Sequence, residues 1–491
     1  MNITNCISKI ISVLPIAFRL PPYGGKSDVD NIGVCVKRGE RRFLALFFPL
    51  LSLSVSAQSF DTYFEDATLR LDYIFAGNDH EQHIYLEDQK RQEKWAGRRN
   101  RLAEKFMNGN GQITVMDHNS KEVIYVWTFS TLFQEWQLEA EAKTTDRAFE
   151  TSYNIPFPKN KVDVTVTLTD NHNVVTSKLT HTIDPKDILI RRVGENGVPF
   201  RYVWKGNNAK DDVNVIDCID VAILAEGYTE AEMSKFYADC ERAVEALFAR
   251  EPFMSMKDRF NVVAVAAPSL QSGPSVPTLH KWTNTATGSH YSTFYSDRYL
   301  TTRNIHKVYD LLSGVPFEHI IVLANTDIYG GGGIYNQVTV VTSDHPTFNE
   351  VLVHEFGHSF GGLGDEYEYG NTADVYYPAD TEPWEPNLTT LVDFKSKWED
   401  MMPKNQPVPT PKNPKVPDYR SIDFNDAKAV EALNAATQVV GVFEGGGYQE
   451  KGCYRPAQEC RMKINEVRDF CPVCARAIRR ITDFYTGKSE K

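Results

Sequence analysis

The chain has 491 residues, 42% hydrophobic and 12% aromatic, which is material for roughly two to four domains with buried cores and too apolar for a disordered segment. Its 65 acidic against 53 basic residues give a formal charge of −12, which argues against a nucleic-acid partner or an anionic membrane surface, since either needs a basic face.

Residues 37–57 read KRGERRFLALFFPLLSLSVSA. Lys37, Arg38, Arg41 and Arg42 precede an apolar run from Phe43 to Val55, and small residues close it before Gln58. This is the three-part pattern of a secretory signal peptide, with cleavage expected near 57/58; the run is too short for a comfortable membrane span. Residues 1–35 ahead of it are expected to be an over-called start, so 1–57 falls outside the mature protein. An exported protein follows, whether secreted, periplasmic or at the cell surface, with no membrane span once the signal is removed. Six cysteines remain: Cys218, Cys240, Cys453, Cys460, Cys471 and Cys474. An even count in an oxidising compartment predicts disulfides of unknown pairing. A zinc knuckle built from the last four is the rival reading, disfavoured by spacings that lack the usual paired CxxC.

From Phe60 to Arg192 short runs alternate with the strand period. ATLRLDYIF (67–75), GQITVMDH (111–118), EVIYVWTF (122–129), FETSYNIPF (149–157), VDVTVTLTD (162–170) and VVTSKLTHTI (174–183) are separated by turn residues. They predict an N-terminal antiparallel β-sandwich over 58–192. EDQKRQEKWAGRRNRLAEKF (87–106) is expected to be a helix crossing one side of it. Nothing here looks catalytic, and a structural or binding role is expected.

The grammar changes near Asp217, and 193–491 is expected to be an α/β domain. CIDVAILAEGY (218–228), RFNVVAVAAPS (259–269), HIIVLANT (319–326) and IYNQVTVVTS (334–343) read as strands. Thr229 and Glu232 form a T-x-x-E box that opens a helix through Phe248. Glycines 330–333 lack any phosphate-loop pattern; they are expected to loosen a turn or to let a bound chain approach closely. Six prolines in 403–417 mark an exposed loop.

The chemistry lies in VLVHEFGHSFGGLGDEYEYG (351–370). Thr347 and Glu350 form another T-x-x-E box, predicting a helix over 348–360 on which His354 and His358, one turn apart, share a face. Two such imidazoles can reach one zinc, and Glu355 beside them is placed to accept a proton from water rather than to ligate, the HExxH logic of zinc peptidases. The helix stops at Gly361-Gly362. In the long motif HExxHxxGxxH the third ligand comes three residues after such a glycine; counting from Gly361 gives Gly364, which cannot ligate, whereas counting from Gly362 gives Asp365, which can. Asp365 is therefore expected as third ligand, with Glu366 as fallback and Glu382 or Glu385 behind it. Met462, in CRMKIN, is expected on a tight methionine turn beneath the metal, followed by an amphipathic C-terminal helix.

LAEGYT (224–229), HEFGHSFGGLGDEY (354–367), EPWEPNLT (382–389), FEGGGY (443–448), YRP (454–456) and CRM…FCPVC (460–474) together resemble the IgA peptidase family of bacterial zinc metallopeptidases, peptidase family M64, over residues 195–485. The resemblance implies a zincin (metzincin-like) metallopeptidase domain with one zinc per chain, held by His354, His358 and Asp365, and Glu355 as general base. It implies a protein or peptide substrate without naming one; immunoglobulin A does not follow. Substrate is expected to lie along an edge strand, IYNQVTVV. Tyr448, Tyr454 and Arg455 are candidates either for the cleft or for packing near the methionine turn. The alternative class is a non-catalytic surface or secreted protein that binds host protein or glycan and keeps zinc for folding.

Overall fold

The protein is described by a computed structural model over residues 59–206, 217–369 and 375–488. The expected signal peptide and upstream start lie outside the described residues. Among those residues no helix is long and apolar enough to cross a membrane.

The β-rich half contains β1 (Phe64–Gly77), β2 (Gln82–Glu93), β3 (Gly111–Asp117), β4 (Val123–Phe129), a short helix α1 (Leu132–Gln137), β5 (Arg147–Pro158), β6 (Val162–Thr169), β7 (Val175–Ile183) and β8 (Arg191–Arg192). They form two four-stranded sheets, in the orders β5-β1-β2-β8 and β4-β3-β6-β7. All six predicted runs are strands. Alternation drives the packing: Ile113 and Val115 of β3 and Val164, Val166 and Leu168 of β6 are buried, and join Leu69, Leu71 and Phe75 of β1 in one apolar core.

The helix expected over 87–106 does not form. Its first seven residues complete β2, paired with β1 from Ala67↔Glu93 to Gly77↔Gln82, and the rest is turns. A fourteen-residue partner strand outweighs the helix preference of Glu, Lys, Gln and Arg. The alternation was hidden because β2 turns Lys90 and Gln92 inward. Lys90 Nζ lies 2.7 Å from Asp72 Oδ2, while Arg70 Nε and Ser152 Oγ each lie 2.6 Å from Asp72 Oδ1. Burial opposes ionisation of Asp72, but these donors hold its carboxyl below the ordinary aspartate range. Its contribution to stability is thus present at neutral pH and is lost as pH falls below about 4 toward the folded-state value. Asp72→Ala leaves Arg70 and Lys90 to the half-exposed Asp310, at 2.6 and 3.5 Å, and an expected cost of about 1–3 kcal/mol should appear as a lowered denaturation midpoint. A midpoint unchanged from wild type would show that Asp310 alone satisfies both cations.

The second half is built on one six-stranded sheet. Its members are β9 (Phe200–Trp204), β10 (Ile219–Glu226), β11 (Phe260–Val265), β12 (His319–Ala324), β13 (Gly331–Ile334) and β14 (Val338–Thr342), in the order β13-β14-β12-β10-β11-β9. The four inner strands are parallel and buried residue for residue, as central strands covered on both faces must be; β9 and β13 run antiparallel on the edges. One face carries α2 (Met233–Phe248), α3 (Phe348–Ser359) and α4 (Pro472–Tyr485), whose Phe236, Leu352, Phe356 and Ile478 share one apolar core with Val221 and Ile223. At the start of α2 the predicted box is present, Thr229 N donating to Glu232 Oε2 at 2.8 Å. The other face, through Ala222 and Leu224, shares the core of the β-rich half.

The expected strand 334–343 is divided. The glycine run itself forms the edge strand β13, residues 335–337 turn the chain, and β14 lies inside the sheet. The edge of the sheet therefore belongs to Gly331–Ile334 and not to the length of IYNQVTVV, and Gly331 on it is bridged to Tyr299. The turn docks on the β-rich half, with Ser130 N donating to Tyr335 O (2.9 Å) and Asn336 Nδ2 to Thr128 O (2.8 Å).

Candidate active site

Helix α3 lies directly against β13, and glycine makes this possible. A Cβ on Gly333 would stand 2.3 Å from the backbone oxygen of Glu355 and 2.9 Å from His358 Cβ. Gly333→Ala must push the edge strand and the helix apart, since a backbone atom cannot swing away. An expected loss of about 1–3 kcal/mol, with activity falling with it, is checked by thermal denaturation beside turnover.

The helix starts as predicted, though not by the Thr347–Glu350 box. The Thr347 side chain makes no cap; instead His345 Nδ1 bonds the Thr347 hydroxyl at 2.8 Å, and Phe348 N donates to His345 O at 2.9 Å. The helix ends in a Schellman turn: Gly362 N donates to His358 O (3.0 Å) and Leu363 N to Gly357 O (3.2 Å), with Gly362 at φ 61°. The left-handed residue is thus Gly362, three before Asp365. Asn387 fixes the returning chain by bonding both Gly364 N and Gly364 O.

This turn brings Asp365 back onto the helix. Asp365 Oδ1 lies 3.1 Å from His354 Nε2 and 3.2 Å from His358 Nε2, and the two Nε2 atoms are 3.0 Å apart. Each ring is oriented from behind, His354 Nδ1 donating to Arg461 O (2.9 Å) and His358 Nδ1 to Leu363 O (2.5 Å). With both Nδ1 atoms serving as donors, neutral rings turn two Nε2 lone pairs on each other and on a carboxylate. Three mutually repelling lone pairs call for positive charge at their centre. Without a metal a proton has to supply it: burial pulls His358 down, yet the Asp365 carboxylate overcomes this and lifts it to about 10. Burial likewise opposes ionisation of Asp365, which the two imidazoles hold well below the usual range. Donors around a tetrahedral zinc at ~2.0–2.1 Å stand about 3.3 Å apart, so this triangle fits such an ion with little adjustment.

Glu355 stands beside the triangle, a carboxylate oxygen within 4.8 Å of nitrogens on both rings. Burial raises its pKa, and the neighbouring imidazoles oppose the rise. The other candidate acids face elsewhere. Glu366 bonds Asn387 and Cys474, Glu382 bonds Thr390 and Asp393 N, and Glu385 bonds Tyr377. Met462 is fully buried beneath the helix, its sulfur 2.9 Å from where a Cβ on Gly357 would be, which accounts for a glycine inside a helix. The same turn supplies Arg461 O to His354.

Two residues that sequence reasoning left undecided or passed over belong here. Tyr448, on the turn joining β15 (Phe443–Gly446) to β16 (Gln449–Arg455), donates its hydroxyl to Asp365 Oδ2 at 2.5 Å. Arg455 instead is buried against the carbonyls of Glu444 and Gly445, a packing role, and Tyr454 pairs with Thr389 through backbone bonds. Glu135, on α1 of the β-rich half, accepts from Tyr299, and burial pushes it up to about 7. Both Glu135 and Tyr448 line a cleft of about 820 Å³ whose floor holds His354, Glu355 and His358 and whose wall includes β13. The β-rich half thus helps to shape the cleft, which its sequence gave no sign of.

An acid and two imidazoles at the floor of a long cleft suit hydrolysis of a polymer, and comparison with known families makes the class a peptidase. The family profile described as IgA Peptidase M64 matches residues 208–430 and 421–482, and that described as Peptidase M64 N-terminus matches residues 59–180. The chain belongs to the IgA peptidase M64 family, whose members are metallopeptidases acting on protein substrates. No curated protein matches it.

Proposed function

We propose that the chain is an exported zinc endopeptidase whose metal is held by His354, His358 and Asp365 and whose general base is Glu355. The observation that carries this is the triangle of Nε2, Nε2 and Oδ1 atoms at 3.0–3.2 Å, with both rings tethered through Nδ1. A zinc ion bound there would supply Lewis acidity, polarising a peptide carbonyl and making a water more acidic. Glu355 takes the proton of the attacking water on a carboxylate oxygen and delivers it to the amide nitrogen, so that the C–N bond breaks to give a carboxylate and an amine. Tyr448 holds the second oxygen of Asp365 and keeps that carboxylate from rotating. Met462 supports the helix from below as the methionine turn.

The substrate lies extended beside β13 in the cleft, where main-chain bonds to the part of the edge beyond Gly331, whose N–H already donates to Arg298 O at 3.3 Å, bind it without demanding a particular sequence. The two four-stranded sheets are read as a β-sandwich over 58–192, and the six-stranded sheet with its helices as a zincin-type catalytic domain over 193–491. Export rests on the signal-like stretch 37–57.

The test is to present the zinc-loaded protein with a proteome-derived peptide library, then repeat after chelation and after zinc is restored. Cleavage is expected to disappear with the metal and return with it. A protein that carries zinc on the histidines yet cleaves nothing in the library would instead be a non-catalytic binder.

A further inference from the structure

Consecutive acids serve two different clusters. Asp365 faces the imidazoles, whereas Glu366 turns toward three thiols. The Sγ atoms of Cys460, Cys471 and Cys474 and a carboxylate oxygen of Glu366 all lie within 4.8 Å of one another, and all four residues are buried. Cys460 Sγ is 3.9 Å from Cys474 Sγ, and Cys474 Sγ is 3.0 Å from Glu366 Oε1. The six cysteines of the described residues are free thiols, so the disulfides expected from an even count are not formed.

We propose that Cys460, Cys471, Cys474 and Glu366 form a second, structural site for a thiophilic divalent cation of the zinc class, beyond the single zinc expected per chain. The spacing fits: sulfurs bound at ~2.3 Å around a tetrahedral ion stand about 3.8 Å apart, and Glu366 reaches its bound distance by a small turn of its carboxylate. A second observation points the same way. Glu366 Oε2 is buried and has no hydrogen-bond partner, although Asn387 Nδ2 holds Oε1 at 2.9 Å. A buried carboxylate oxygen with nothing to accept is costly unless a cation takes it. The backbone adds donors aimed at sulfur, with Cys471 N 3.3 Å from Cys460 Sγ and Cys474 N 3.5 Å from Cys471 Sγ. Cys471 is also the N-cap of α4, where the helix dipole favours negative charge. A disulfide between any two of these thiols would still leave Glu366 Oε2 buried without a partner. On binding, the thiol protons pass to solvent and the sulfurs ligate as thiolates.

Such an ion ties three segments that orient the first cluster. Glu366 adjoins Asp365. Cys460 precedes Arg461, whose carbonyl holds His354, and Met462, whose carbonyl accepts from Glu366 N at 2.8 Å. Cys471 and Cys474 anchor the start of α4. The site is a brace for the hydrolytic centre and takes no part in its chemistry.

The experiment is metal counting on the full chain, purified with reductant, loaded with zinc and dialysed, in wild type, Asp365→Ala and Cys474→Ser. Two zinc ions are expected in the wild type and one in each variant. Because Cys474→Ser can fail to fold, Asp365→Ala is also loaded with cobalt, where a thiolate-to-cobalt charge-transfer band is expected. Asp365→Ala without metal or without that band overturns the second site and leaves the peptidase reading standing. A wild-type mass two hydrogens short, from a disulfide among the three, overturns it as well. If Asp365→Ala keeps two ions and shows the band, the brace stands and the assignment of Asp365 falls instead.

Discussion

Glu355→Gln is expected to lower kcat by about 10²–10⁴-fold while leaving the fold and the zinc on the histidine cluster unchanged. The exchange is isosteric, which matters because the Glu355 side chain packs 3.0 Å from where a Cβ on Gly331 would be, so a shorter residue would open a gap against the edge strand. An amide cannot accept the proton of the attacking water, yet the imidazoles and Asp365 keep every donor that the metal needs. The pH profile separates this role from a structural one. A base must be ionised, so wild-type activity falls as pH drops through the Glu355 pKa; burial moves that value up and positive charge on the ring side moves it down. In the Gln variant the residual rate should lose this acid limb. Full turnover in a folded, zinc-loaded Glu355→Gln protein would falsify the assignment of the base.

What could be read from the chain depended on how local the cause was. The strands of the β-rich half were legible because apolar residues alternate along them, and the four inner strands of the second sheet because they are mostly apolar runs. β2 was not, since its inward Lys90 is matched to Asp72, eighteen residues away, and polar pairs leave no apolar stripe. His354, Glu355, His358 and the turn at Gly362 lie within one helix and its cap, so their spacing carried the geometry. Tyr448 meets Asp365 across 83 residues, Glu135 meets Tyr299 across 164, and Glu366 meets Cys474 across 108. No local period encodes such closures; they are set by how the turn 447–448, helix α1 and the start of α4 pack around the cleft.

Asp365→Ala and Tyr448→Phe should separate a ligand from the residue that holds it. Without the Asp365 carboxylate, two Nε2 atoms 3.0 Å apart face the Tyr448 hydroxyl across a gap, and two imidazoles alone make a poor zinc site. Asp365→Ala is therefore expected to lose the histidine-cluster zinc on dialysis and all measurable peptidase activity with it. Tyr448→Phe keeps all three donor atoms but leaves Asp365 Oδ2 without its hydroxyl. Loss of such an outer partner costs about 10–100-fold in metal affinity, so activity should fall at limiting zinc and recover when zinc is in excess. The two outcomes differ in kind, because excess zinc rescues a loosened ligand and not a missing one. If Tyr448→Phe bound zinc as tightly as wild type and yet turned over slowly at saturating metal, the hydroxyl would be acting on the substrate rather than on Asp365. If Asp365→Ala kept its zinc affinity, the third ligand would have to come from elsewhere in the cleft, and the turn at Gly362 would have no chemical purpose.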